Sequence, residues 1–179
     1  VDEVDSTRQS EWNEPRLDGG HVAFLQYTSG STSSPKGVVL SHANLLANAE
    51  MIRQAFGNRP DSSAVFWLPL YHDMGLIGGV LQPLFCGGFA TLIAPAAFFQ
   101  RPLFWLELIS QTRATISGAP DFAYDLCVRR STPAQRGSLD LSCWDVAFTG
   151  AERIRSSTVD RFTAAFRDSG FRASSLFPC

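Results

Sequence analysis

The sequence predicts an α/β fold with largely parallel sheets and flanking helices. Short apolar runs rich in Val, Ile and Phe alternate with segments of helical periodicity. Glycine, proline or polar residues follow several of these runs, which is where such sheets carry their ligands. Hydrophobic residues make up 45% and charged residues 18% of the 179, ordinary proportions for a chain that buries a core.

Residues 1–20 are polar and acidic (Asp2, Glu3, Asp5, Glu11, Glu14, Asp18) and read as a connector ending in Gly19-Gly20; residues 21–179 read as domain. His21–Gln26 is a first strand and Val38–Leu40 a second, with a Ser/Thr-rich loop between them. Ser41 is a good N-cap for a helix from His42, in which Leu45, Ala49, Ile52 and Phe56 repeat at helical spacing until Gly57. Ala64–Leu68 is a short buried strand. It leads through Pro69-Leu70-Tyr71-His72-Asp73 into a glycine-rich apolar helix from Met74 to about Leu84. Phe89–Ala94 is a strand. Pro102 opens a helix with Leu103, Leu106 and Ile109 on one side. Ala114–Ser117 is a strand, and Pro120 opens a helix with Phe122, Ala123, Leu126 and Cys127 inward. Asp145–Thr149 is a further strand, and Val159, Phe162 and Phe166 mark a final helix that stops before Gly170.

Composition excludes several classes. A formal charge of −2, with no basic cluster beyond Arg129-Arg130, leaves no electrostatic footprint for nucleic acid. The four cysteines lack a C-x-x-C pair and read as reduced thiols of a cytoplasmic protein. Met74–Gln100 carries no charge, yet Pro83, Gly87-Gly88 and Pro95 cut it into pieces too short for a membrane span. No signal peptide is visible. The start at Val1 and the end just after a new apolar run lead us to expect part of a longer protein.

The stretch Tyr27–Gly37 holds the only lysine, Lys36, among hydroxyls and glycines. Such a donor set suits an anionic phosphate chain. It is not the G-x-x-x-x-G-K-[ST] loop, because Pro35 stands where the second glycine belongs and Gly37 replaces the magnesium-binding hydroxyl. Composition alone favours a structural turn over a phosphate cradle. His72, at a strand exit, is a candidate site residue; His21 and His42 read as surface residues. Glu152 either caps a turn or belongs, with Gly150 and Ala151, to a close backbone approach to a flat ligand. Nothing in the spacing brings Asp73 and Glu152 together as an acid–base pair, and no metal-ligand cluster is visible, so any magnesium would arrive with a nucleotide.

These motifs resemble the adenylate-forming superfamily of acyl-CoA synthetases, luciferases and peptide-synthetase adenylation domains. Thr28–Gly37 is similar to its phosphate-binding signature, with Ser33 where glycine is usual. Ser33-Ser34, Trp67–Gly78 and Ser117–Cys127 look like the fatty acyl-AMP ligase branch. The resemblance runs from about Val22 to Cys179 and implies part of the large N-terminal domain of an adenylate-forming enzyme. It implies ATP-dependent conversion of a fatty acid to acyl-AMP with release of pyrophosphate, then transfer to an acyl carrier protein, in polyketide or lipopeptide assembly. A long-chain fatty acyl-CoA ligase, or a non-catalytic nucleotide- or acyl-binding module, remains an alternative.

By the same resemblance Thr28, Ser29, Gly30, Ser31, Thr32, Lys36 and Gly37 would hold the ATP phosphates. His72 would sit by the reacting carboxylate, Gly150, Ala151 and Glu152 would line the adenine pocket, and Gly118 and Ala119 would form acyl-pocket wall. The family's magnesium-binding glutamate, ribose-binding aspartate and catalytic lysine would fall beyond Cys179. The chain alone is therefore expected to be inactive.

Overall fold

A computed structural model describes residues 6–28 and 36–179. The chain divides into two compact units, Val1–Ala47 and Asn48–Cys179.

The first unit contains a 3-10 turn, Ser6–Glu11, then strands β1 (Val22–Thr28) and β2 (Lys36–Ser41). These strands pair antiparallel, with Tyr27 opposite Gly37 and Thr28 opposite Lys36. They depart from the parallel pairing expected for the molecule because residues 29–35 are too few for a crossover. Helix α1 (His42–Phe56) begins here under the expected cap: the Asn44 N–H donates to Ser41 Oγ at 3.2 Å, and the Ser41 N–H donates to Asn44 Oδ1 at 3.1 Å. Two otherwise orphaned amides are thereby satisfied.

The second unit is a parallel sheet. In chain order its elements are β3 (Ser63–Phe66), α2 (Asp73–Leu76), a π-helical segment (Ile77–Leu81), α3 (Gln82–Cys86), β4 (Phe89–Leu92), α4 (Pro95–Gln100) and α5 (Leu103–Thr112). Then follow β5 (Ile116–Ala119), α6 (Asp121–Arg129), α7 (Pro133–Gly137), β6 (Val146–Thr149), α8 (Ser156–Phe166), a 3-10 turn at Ala173–Ser175, and β7 (Leu176–Pro178). The strand order is β4-β3-β5-β6-β7, parallel throughout. From β3 the chain moves outward to β4, then returns past β3 and proceeds the other way through β5, β6 and β7. The order therefore reverses between β3 and β5, the kind of junction where α/β sheets bind ligands.

That junction is loosely laddered. The β3–β5 register is a single pair, Ala64 with Ile116, whereas β5 and β6 pair over four residues each. Beyond Ala64 a side chain takes over: Ser117 Oγ donates to the Val65 carbonyl and accepts from Trp105 Nε1 at 2.8 Å.

Alternate residues separate the two faces. Val65, Ala119 and Ala147 point into a core with Trp67, Phe98, Trp105, Tyr124, Trp144 and Phe162. Trp67 stacks on Phe98 at 3.8 Å between ring centroids, and Tyr124 meets Phe162 edge-on at 5.0 Å. Ala64, Phe66, Ile116, Val146 and Phe148 point the other way.

The structure departs from the sequence expectations in bounded ways. Trp67 and Leu68 are buried but lie past the end of β3. The expected helix from Met74 is interrupted by the π segment, whose ends run directly into α2 and α3. Pro95, expected only as a break, opens α4 at its first turn, where a missing N–H is harmless. On α6 the buried residues are Asp121, Ala123, Tyr124 and Cys127, while Phe122 and Leu126 are only partly buried.

Candidate active site

The exits of β3, β5 and β6 lie at the same end of the parallel sheet, and each carries a motif marked by the sequence. At the β3 exit, residues 69–72 form a turn in which the His72 N–H donates to the Pro69 carbonyl at 3.1 Å. His72 is the N-cap of α2, and its side chain is 51% exposed. Its Nδ1 lies 3.2 Å from the Met74 N–H and 2.8 Å from Asp73 Oδ1. Nδ1 serves one of these partners at a time, as acceptor or donor, and Nε2 is left to meet a ligand. Gly75 is enforced here, because a Cβ would stand 2.2 Å from the Pro69 carbonyl oxygen.

The β5 exit corrects one expectation. Gly118 and Ala119 lie within the strand rather than after it. A Cβ on Gly118 would come within 2.4 Å of the Phe148 ring, so the glycine makes room for that ring on the neighbouring strand. Ala119 is fully buried in the aromatic core.

At the β6 exit, a Cβ on Gly150 would come 2.7 Å from the Cys179 carbonyl oxygen. Ala151 adopts a left-handed φ of 65°, unusual for a residue with a side chain. Glu152 turns away from its own loop: Oε1 accepts from the Phe122 N–H in the first turn of α6 at 2.7 Å. It caps a helix, but not the element that follows it. Asp121, 1% exposed, accepts from the Arg155 N–H and Nε at 2.9 Å each and from Thr158 Oγ1 at 3.0 Å. Burial alone would raise its pKa; the donors from Arg155 and Thr158 outweigh burial and hold it below the usual carboxylate value. Asp121 was missed by sequence reasoning. An acidic residue just after Pro120, on the inward face of an apolar helix, was the available signal.

Between the sheet and the helices of its second face lies a cavity of about 510 Å³, within the range of small-molecule sites. Phe66, Ile116, Phe148 and Phe177 line it from the sheet, and Ile52, Phe56, Ile77 and Gly78 from the helices. Two strand exits border it, through Asp73 and Met74 and through Gly150 and Ala151. Of the expected site residues, Gly150 and Ala151 meet the cavity; His72, Glu152, Gly118 and Ala119 do not line it. Cys86 and Cys179 do, and burial pushes both thiols up.

Of the expected phosphate-binding residues, Ser29, Gly30, Ser31 and Thr32 lie outside the described residues, as does the Thr28 side chain. Lys36 and Gly37 open β2 and are exposed, and a Cβ on Gly37 would meet the Tyr27 ring at 3.2 Å. Among the described residues there is no group of three His, Cys, Asp or Glu suited to a metal ion, and no helix long and apolar enough to cross a membrane.

A parallel sheet with a reversed strand order, motif-bearing exits and an apolar cavity is an α/β ligand-binding domain. Comparison with known proteins gives the family: residues 2–173 match the AMP-binding enzyme model, and the chain belongs to that family. It is 50% identical over 177 residues to the medium-chain-fatty-acid–[acyl-carrier-protein] ligase TtuA of Teredinibacter turnerae, covering 98% of this chain and 27% of the relative. It is 39% identical to the 4-hydroxyphenylalkanoate adenylyltransferase of Mycobacterium tuberculosis, covering 99% of this chain and 29% of that one. The fatty acyl-adenylate ligase from L. pneumophila, solved with acyl adenylate and pyrophosphate, superposes with a TM-score of 0.94 at 45% identity, over 99% of this chain and 31% of that chain. The chain thus spans about three-tenths of the length of these relatives.

Proposed function

We propose that this chain forms part of a fatty acyl-AMP ligase, which activates a fatty acid with ATP and passes the acyl group to an acyl carrier protein. The single observation that carries the reading is the apolar cavity, whose lining includes both the phenylalanine face of the sheet and Gly150-Ala151. A fatty acid needs an apolar slot ending at a polar reaction centre, and the strand exits supply that junction. The relatives named as medium-chain-fatty-acid–[acyl-carrier-protein] ligases support the same substrate and acceptor.

In the first half-reaction a carboxylate oxygen of the fatty acid attacks the α-phosphorus of ATP. The bond to the bridging oxygen breaks and pyrophosphate departs, giving an acyl adenylate. In the second, the pantetheine thiol of the carrier attacks the acyl carbon, a thioester forms and AMP leaves. Catalysis of such a displacement is largely positioning and charge neutralisation. Thr28, Ser29, Gly30, Ser31, Thr32, Lys36 and Gly37 have the donor chemistry to hold the β- and γ-phosphates. His72 presents Nε2 toward the developing charge. Gly150 and Ala151 offer bare backbone to the base, while Gly118 shapes the acyl wall through Phe148. Magnesium, when bound with the nucleotide, offsets phosphate charge; no cluster of ligands for it stands among the described residues.

We place the enzyme in the cytoplasm, where its four free thiols stay reduced, and in polyketide or nonribosomal peptide assembly. A structural neighbour, the adenylation domain of a keto acid-selecting NRPS module, at 27% identity and a TM-score of 0.83, supports the latter context.

The test uses the intact enzyme, ATP and radiolabelled fatty acid, with acyl carrier protein or CoA offered as acceptor. Labelled acyl-AMP followed by labelled carrier is expected. Efficient acyl-CoA formation would replace the proposal with a CoA ligase, and no adenylate at all would leave a binding module. His72→Ala is expected to slow adenylate formation roughly 100-fold without unfolding the domain, the size of loss typical for one electrostatic donor.

A further inference from the structure

The β6 exit departs from ordinary backbone at Ala151, whose left-handed φ is disfavoured for a residue bearing Cβ. Residues 151–153 are exposed. A loop in a disfavoured conformation with little burial persists only where something else fixes it. Two carboxylates brace its flanks, one from each side of the junction. Glu152 reaches out of the loop to the first turn of α6. Asp121 reaches back from that same turn to Arg155, just beyond the loop, and to Thr158.

Asp121 lies at the N-terminal ends of two helices at once. It is the first residue of α6, and it accepts from the N-cap amide and a first-turn hydroxyl of α8. Both helix dipoles favour its negative charge. The Arg155 side chain is 58% exposed while Asp121 is 1% exposed, so the buried partner fixes the geometry and the arginine can be trimmed without opening the core.

We propose that Asp121, acting through Arg155 and together with Glu152, is a positioning residue that sets where Gly150 and Ala151 present their backbone to the nucleotide base. This rests on the reading of Gly150–Glu152 as the base-binding loop. It assigns Glu152 to α6 rather than to the base itself, and it ties the base loop to the helix that leaves β5.

In the intact enzyme, Arg155→Ala, Glu152→Ala and Asp121→Asn are each expected to raise KM for ATP about five- to tenfold. KM for the fatty acid and kcat at saturating ATP should stay within about twofold. Arg155→Lys and Glu152→Gln, which keep a donor and an acceptor, should recover most of the loss. A purely structural role would lower melting temperature and apparent kcat with KM for ATP unchanged, and that result overturns the proposal. Where Asp121→Asn fails to fold, the exposed Arg155→Ala carries the test. Hydrogen exchange of residues 150–155 with and without AMP separates the two ideas. Protection in the wild type, with KM for ATP unmoved in the variants, overturns the positioning role alone. No protection in the wild type overturns the base-loop reading and the proposal together.

Discussion

Val65 and Phe66 are adjacent on one strand, yet they meet very different surroundings. Val65 joins a face closed by Trp67, Phe98, Trp105, Tyr124, Trp144 and Phe162. Phe66 joins Phe148 and Phe177 around a cavity of about 510 Å³. Both faces are aromatic, so composition does not separate them. On the closed face ring edges meet ring faces and the Trp105 and Trp144 N–H groups both have acceptors. On the open face the helices present Gly78 beside Ile52, Phe56 and Ile77, and a cavity remains between them and the sheet. One side of the sheet is packed for stability, and the other keeps room for a ligand.

The comparison predicts unequal costs for similar truncations. Trp105→Ala on the closed face should destabilise by about 3–5 kcal/mol, because a fully buried ring leaves a void and the Ser117 hydroxyl loses the indole donor while keeping the Val65 carbonyl. Phe148→Ala on the open face should cost roughly half as much, since part of its ring already faces the cavity. Chemical denaturation of both variants checks this, and equal losses would mean that the two faces are packed alike. Gly75→Ala comes next. The new Cβ would collide with the Pro69 carbonyl, so we expect about 1–3 kcal/mol of destabilisation and a displaced His72. Adenylation should fall more steeply than stability, as pyrophosphate exchange would show.

Asp121 gives a smaller, pH-dependent effect. Its folded pKa is lowered, so its contribution is fully present above the unfolded value of about 3.9 and is lost as pH falls through the folded value. Asp121→Asn should cost about 1.5–3 kcal/mol at neutral pH, the worth of hydrogen bonds to a charged group. The difference from wild type should shrink below about pH 4. Urea titrations at pH 7 and pH 3 measure it, and a gap independent of pH would deny the carboxylate its role.

Much of the fold was legible because its signals are local. Ser41 before an apolar helical repeat, and Pro102 and Pro120 at helix starts, need only neighbouring residues to be read. Pro95 was ambiguous for a physical reason: the residue that ends an apolar strand also suits a helix's first turn. The π segment was hidden because Gly78-Gly79 in an apolar run carries no signal for an extra residue per turn. At the site, Gly150 and Ala151 were legible as small residues at a strand exit. The side chain of Glu152 was not, since its partner is Phe122, thirty residues away in sequence. Asp121 was overlooked among apolar neighbours although buried acids require donors. The cavity itself depends on which alternate residues share a face, and on helices that sequence spacing does not place.

Placement of the acyl chain on the open face is tested at Gly78. An added Cβ there would sit 3.5 Å from Phe66 and 3.6 Å from Phe148, ordinary contact, so the backbone accepts a side chain whose outer atoms enter the cavity. The measurement is pyrophosphate exchange by the intact enzyme with Gly78→Leu across a series of fatty acid lengths. Short acids should keep activity within about threefold while the longest acids accepted by the wild type lose 10-fold or more, in the range that a few methylenes in an apolar pocket command. An equal loss at every length, or an unchanged profile, would contradict it.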